Sequence, residues 1–192
     1  MSPRPSTLST ADSRRPVVLA SAIRAFARSG YVGTTIADVG READISAAYV
    51  FKLYPSKERL FVAALERCYE LVEEALEAGA AGAAGASGVD AQTPAGILYA
   101  MGGAYAALVA DRDLLMLQVH AQAAAGSPGI AAAVRSGVAR VTTLVKTRSG
   151  APDADVQRFI AFGQLCHLIV TVGIESADGP WAEIIAAGIR HP

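Results

Sequence analysis

Aromatic residues are scarce in this chain, at 6% of 192 positions, although hydrophobic residues as a group reach 52%. The apolar surface is therefore mostly Ala, Val, Leu and Ile, which suits closely packed helices, and no stretch alternates as a strand would. Cysteine is almost absent. Cys68 and Cys166 are far apart and have neither a CxxC partner nor a histidine at metal-ligand spacing. Disulfide and metal readings fall away, and both thiols read as small buried groups in a reducing cytosol. Long apolar runs are missing too. The most apolar later stretch, 159–174, is short for a membrane span and carries Gln164 and His167, despite a mean hydropathy of +0.33. Ser13-Arg14-Arg15 before an apolar run could pass for an export signal, but Arg24 and Arg28 interrupt that run, so it reads as a helix. The expected compartment is cytoplasmic, with no membrane contact. Enzyme signatures are lacking as well: there is no GxSxG, P-loop, HExxH or strand-borne GxGxxG. Asp111 and Asp113 resemble a carboxylate pair, yet their spacing fits a helix cap. Neither an enzyme nor a bound cofactor is expected.

What the chain does have is a punctuated segment over residues 30–57. Gly30 and Gly33 flank Tyr31 and can end a preceding helix. Thr35 with Asp38 forms a capping box, and Ile36, Val39 and Ala43 follow at helical spacing. The pattern breaks at Asp44-Ile45, where aspartate can adopt the left-handed turn conformation. Ser46 caps a second helix, which Pro55 ends. Two short helices across a tight turn can place the second in a DNA major groove. Upstream, Leu19, Ala22, Ile23 and Phe26 give a third amphipathic helix within 13–28. Charge is partitioned: residues 1–60 carry nine basic against five acidic residues, and residues 61–192 carry eight against thirteen. A basic head suits phosphate contact.

The body reads as helical throughout. Ser56 caps a helix through Leu60, Ala64, Cys68, Leu71 and Ala75, and the glycine- and alanine-rich stretch 78–88 reads as a mobile break. Thr93-Pro94, Asp111 or Asp113, and Ser127-Pro128 open three more helices. A helix is expected from Asp153 to Glu175, and Asp178-Gly179-Pro180 turns into a last one. With three in the head, the count is about nine. Residues 1–12, rich in Ser, Thr and Pro, read as a disordered arm.

The run from Arg14-Arg15 through Ala25-Phe26, Gly30-Tyr31, Gly33-Thr34-Thr35, Ile36, Val39, Ala43, Ile45-Ser46, Tyr49, Phe51, Tyr54-Pro55-Ser56-Lys57 and Leu60-Phe61 resembles the N-terminal DNA-binding domain of TetR-family transcriptional regulators. The resemblance covers about the first third of the chain. The chain departs from it in two places, at Asp44 and at the pair Phe51 and Tyr54. The family usually has glycine where Asp44 stands, and tyrosine then phenylalanine where Phe51 and Tyr54 stand. That exchange removes from position 51 a hydroxyl the family commonly points at a phosphate, leaving Tyr54 to take part of that role.

The resemblance implies an all-α fold with a DNA-binding head (13–57) and a ligand-binding and dimerisation body (58–192). It implies a ligand-responsive regulator, usually a repressor, that binds an inverted-repeat operator in duplex DNA as a homodimer. The expected base-facing residues are Ser46, Ala47, Ala48 and Tyr49, and the expected phosphate contacts are Thr34, Thr35, Tyr54 and Lys57. For a small, mostly apolar effector, the candidate pocket residues are Tyr99, Tyr105, Met116, His120, Phe162 and His167, polar or bulky groups in apolar helices. The 153–175 helix is apolar nearly all round, so a partner subunit is expected to cover one side. Phe159, Phe162, Cys166, Ile169 and Val170, with Trp181, Ile184 and Ile185 of the last helix, are the candidate interface. The rival reading is a helical small-molecule-binding protein or enzyme without DNA function.

Overall fold

Every junction in the first sixty residues is set by a side chain that answers a free backbone group. The computed structural model describes residues 10–85 and 89–188. Among them are nine α-helices: α1 (Thr10–Gly33), α2 (Ile36–Glu42), α3 (Ala47–Leu53), α4 (Lys57–Gly85), α5 (Pro94–Val109), α6 (Arg112–Ala123), α7 (Pro128–Ser149), α8 (Asp153–Val172) and α9 (Pro180–Ala186). The described residues contain no strand.

Thr35 and Asp38 form a reciprocal capping box, Thr35 N–H donating to Asp38 Oδ2 at 2.8 Å and Asp38 N–H to Thr35 Oγ1 at 3.2 Å. The Thr35 hydroxyl, donating to Asp38 Oδ2 at 2.6 Å, and then the Thr35 N–H hold the Asp38 carboxyl below the usual carboxylate range. Asp44 takes the turn at φ 53°. The Ile45 N–H then reaches back to the Gly40 carbonyl at 2.9 Å. A Cβ on Gly40 would lie 2.8 Å from the Ile45 carbonyl oxygen, so this turn closes only over a glycine. Ser46 Oγ accepts from the Tyr49 N–H at 3.2 Å and starts α3. Ser56, Thr93 and Asp111 cap α4, α5 and α6 in the same way. Ser127 precedes α7 but makes no side-chain cap.

Head and body share one core. Phe26 of α1 and Phe61 of α4 are fully buried and meet edge to face at 4.8 Å, and Tyr31 adds a second edge contact to Phe61 at 5.2 Å. Around them pack Val50 and Leu53 of α3, Leu114, Leu117 and Ala121 of α6, and Ile130 of α7. A separate cluster, with Val72, Leu76, Met101, Val145 and Val156, fills the far half of the body.

Gly30 interrupts the first helix as expected, with non-helical backbone at φ 68°, ψ −179°, although a short helical piece follows it as far as Gly33, and only Gly30 of the two glycines has a positive φ. Three boundaries differ from the sequence expectation. Residues 1–9 of the expected arm lie outside the described residues, but 10–12 are already helical in α1. The expected break at 78–88 is helical as far as Gly85, and residues 86–88 lie outside the described residues. Packing overrides composition here: a Cβ on Gly79 would sit 2.9 Å from the Ala100 carbonyl and the Met101 Cα, so the glycine lets α4 and α5 touch. Finally, α8 ends at Val172, three residues early, because Gly173 turns left-handed (φ 69°).

Since Phe61 joins the two halves, Phe61→Ala should remove about 3–5 kcal/mol of stability. Chemical denaturation followed by circular dichroism should show one transition moved to lower denaturant, with head and body melting together.

Candidate functional site

Helix α3 buries Val50 and Leu53 and turns its other side outward. Ser46, Ala48, Phe51 and Lys52 are exposed, and Ala47 and Tyr49 are half-buried. Phe51 is 49% exposed. Neither Phe51 nor Lys52 was singled out by sequence as base-facing, although helical spacing from Ala47 and Ala48 puts both on that side.

The expected phosphate-contacting residues divide. Thr35 is exposed at the start of α2. Thr34 is buried, and its hydroxyl donates to the Ala25 carbonyl at 3.1 Å, so its side chain supports the α1–α2 turn and does not face solvent. The Tyr54 residue is 8% exposed, with the Arg15 guanidinium 5.5 Å above its ring. Lys57 is half-buried, its ammonium 4.7 Å over the Tyr31 ring. Several other head cations already have partners: Arg24 and Arg28 both hold Glu42 (2.8 and 2.6 Å), and Arg41 holds Asp38 (3.0 Å). These pairs trim the head's positive excess.

In the body, a cavity of about 410 Å³ opens between α4, α5, α7 and α8, with α6 at its inner end. Three of the expected pocket residues line it: Tyr99, Tyr105 and Phe162. Tyr69, Gln118 and Phe159 join them, as do Gly102 and Gly103 of α5. The paired glycines were the missed signal, since two adjacent glycines weaken an apolar helix unless the space beside them is needed.

The remaining three expected pocket residues lie elsewhere. His167 stands behind the wall, its Nε2 2.7 Å from the Tyr105 hydroxyl, and its buried Nδ1 has no partner. Met116 packs into a small cluster with Val109, Leu115, Cys166 and Val170. His120 faces the head: its Nε2 meets the Ala27 carbonyl at 3.1 Å, and its ring fills the space beside Gly30. Periodicity could not foresee this, because the partner is 93 residues away.

The inner end of the cavity is polar but uncharged. Gln118 is 5% exposed and donates to the Leu114 carbonyl at 3.2 Å. Burial pushes Tyr69 up to about 12 and Tyr105 higher still, and it lowers His167 to about 4. Burial also raises the Cys166 thiol, which lines the wall. Cys68 is buried as expected, pushed up to about 12 by desolvation, its Sγ 3.4 Å from the Leu114 carbonyl.

The expected interface residues also separate. Ile169 is fully buried in its own chain beside Ile174 and Ala182, with Ile185 half-buried against them. Cys166 and Val170 are buried against α5 and α6, and Phe159 packs on the Val156 cluster. Intrachain packing has thus taken one stripe of α8. Exposed instead are Phe162, Leu168 and Val172 of α8 with Trp181 and Ile184 of α9. Leu168 and Val172 were not in the expected set.

Residues 18–64 match the family model described as bacterial regulatory proteins, tetR family. No curated protein sequence matches the chain. Solved structures match its whole length at low identity. A TetR-like transcriptional regulator from Rhodococcus sp. RHA1 is 21% identical, covering 93% of this chain and 94% of that one, with a TM-score of 0.63. The multidrug binding protein EbrR, solved with imidazole, is 21% identical over 100% of this chain and 99% of its own, at 0.64. The transcriptional regulator FadR from Bacillus subtilis, solved with stearoyl-CoA, is 11% identical over 91% and 99%, at 0.68. At these identities the structures establish the shared fold and nothing more. Residues 18–64 are thus similar to the headpiece of bacterial regulatory proteins of the tetR family, and the helices that follow them share the fold of these solved structures.

Proposed function

We propose that the protein is a ligand-responsive transcriptional repressor that binds an inverted-repeat operator as a homodimer and lets go when a small, mostly apolar effector enters the body. The observation that carries this reading is the α2–turn–α3 unit, whose anchored half is buried while Ser46, Ala48, Phe51 and Lys52 face outward. In this reading residues 13–57 read DNA, 58–192 sense and dimerise, and the protein acts in the cytoplasm. Among the described residues no helix is long and apolar enough to cross a membrane. Solved relatives holding stearoyl-CoA or imidazole support treating the body's cavity as the effector site.

For DNA, we assign Ser46, Ala47, Ala48 and Tyr49 to base edges and Thr35, Tyr54 and Lys57 to phosphates. Alanines read methyl groups and shape, so Tyr49 carries the direct hydrogen bonding there. Phe51 and Lys52 extend the same outward face, a phenylalanine suiting thymine methyls and a lysine suiting phosphate. For the dimer, the exposed positions of α8 and α9 replace the buried ones, and two helices from each subunit meet about a two-fold axis.

Two experiments test this. After an operator is selected from random duplexes, Lys57→Ala should weaken binding to every sequence and lower the salt slope by about 1, while Tyr49→Ala should change sequence preference. Unchanged affinity and preference in both variants would sink the DNA assignment. Sedimentation tests the seam: Leu168→Glu and Ile184→Glu should give folded monomers with much weakened operator binding, whereas Ile169→Glu should cost helix content, since its charge would be buried without a partner. An unmodified protein that is already monomeric at micromolar concentration would overturn the dimer.

A further inference from the structure

The cavity has a shape and a charge that narrow its ligand, and the inference that follows rests on the effector-site reading above. Helices α5 and α8 face each other across it, and where they approach both lack side chains. A Cβ on Gly102 would meet only the Phe159 ring, at 3.6 Å, and one on Gly163 would meet only the Tyr105 ring, at 4.0 Å. Each glycine thus looks onto an aromatic ring of the opposing helix. Tyr99, 67% exposed, and Phe162, 46% exposed, stand at the more open part of the lining. The result is a narrow slot with aromatic edges.

Charge in the lining is confined to one ion pair. Asp155 and the exposed Arg158 pair with each other at 2.7 Å, so neither is left uncompensated. The buried polar groups are phenol, amide and imidazole: Tyr105 and Gln118 line the cavity, and the Tyr105 hydroxyl lies 2.7 Å from His167 Nε2. An ionised ligand would leave water and find no opposite charge to meet it. A flat uncharged one would bury its faces on the glycines and rings and exchange one hydrogen bond at the inner end.

We propose that the cavity takes a flat, uncharged aromatic molecule with a single polar group on one edge, its rings held in the slot between α5 and α8 and its polar atom placed at the Tyr105 hydroxyl. Tyr105 and Gly102 are the residues that set this specificity. The hydroxyl reads the polar edge, and the missing side chain lets Phe159 lie against α5 as one aromatic wall of the cavity.

Isothermal titration of the full-length protein near neutral pH tests the inference with four probes of one size: 2-naphthol, naphthalene, 2-naphthoate and 2-naphthylmethylammonium. The expected result is saturable 2-naphthol binding, at least about tenfold tighter than either charged probe, a difference a single unmatched charge easily produces. Tyr105→Phe should bring 2-naphthol to within about twofold of naphthalene, because only the hydrogen bond separates them. Tyr105→Phe also strips His167 of its partner, so Gly102→Leu gives an independent test. It adds bulk at a helical position where a side chain has room to start, and it should abolish binding of all probes with helix content unchanged. Equal or tighter binding of a charged probe, full 2-naphthol binding in folded Gly102→Leu, or no binding by any probe would overturn the proposal. Operator affinity of the same preparation without probe is read separately, so failure of the probes does not count against DNA binding, and loss of DNA binding does not count against the slot.

Discussion

The edge-to-face contact of Phe26 with Phe61 ties the first helix to the fourth at the point where head becomes body. Both rings are fully buried, and the residues packed around them come from α1, α3, α4, α6 and α7. The headpiece therefore shares its core with the body. Buried residues of its three helices, among them Val18, Ile36, Val39 and Val50, are continuous with Leu60, Leu65, Leu114 and Ile130. A head anchored this way cannot turn freely on a linker. Its orientation is dictated by the helices that contribute to the shared core, and any change of orientation must repack that core.

Two helices carry such a change. Helix α4 is the covalent route, running from Phe61 in the shared core to Leu76 in the far cluster. Helix α6 is the second route, with no chain connection to the head. Gln118 on α6 looks into the cavity, while Leu117, His120 and Ala121 on the same three turns face the head. A twelve-residue helix is stiff, so on the proposed effector reading a push at Gln118 would be passed toward the Ala27 carbonyl through His120. Sequence reading identified α4 because it bridges the halves in the chain. It took His120 for a pocket group because the contact that occupies it crosses 93 residues.

What was legible in the chain follows the range of the forces involved. Caps and turns act over three or four residues, so Thr35, Asp38, Asp44, Ser46, Thr93 and Asp111 told their roles directly. The all-helical architecture and the headpiece were readable for the same reason. Glycines were harder, since composition cannot distinguish a flexible glycine from one that admits a neighbour. Gly79 sits against the backbone of α5 and keeps α4 helical through a stretch that reads as a linker, and Gly40 lets a carbonyl pass at the turn. Burial was hardest in α8, where apolar residues surround the helix. The choice between Ile169 inside and Leu168 outside depends on where α5, α6 and α9 lie, and single-helix periodicity holds no such information.

On the proposed function, that same helix would link sensing to association. Phe159 and Cys166 of α8 wall the cavity, and Leu168 and Val172 farther along it are exposed. Phe162 belongs to both surfaces, lining the cavity while remaining 46% exposed. An α-helix turns as a unit, because its backbone hydrogen bonds fix each side chain's direction relative to the next. A ligand that shifts Phe159 by rotating α8 must therefore swing Leu168 as well. If, as proposed, a second subunit covers the exposed side, that rotation would be felt across the two-fold axis and would change the spacing of the two heads. A ligand with equal affinity for both rotations would change nothing, so the slot's shape selects the state as well as the molecule.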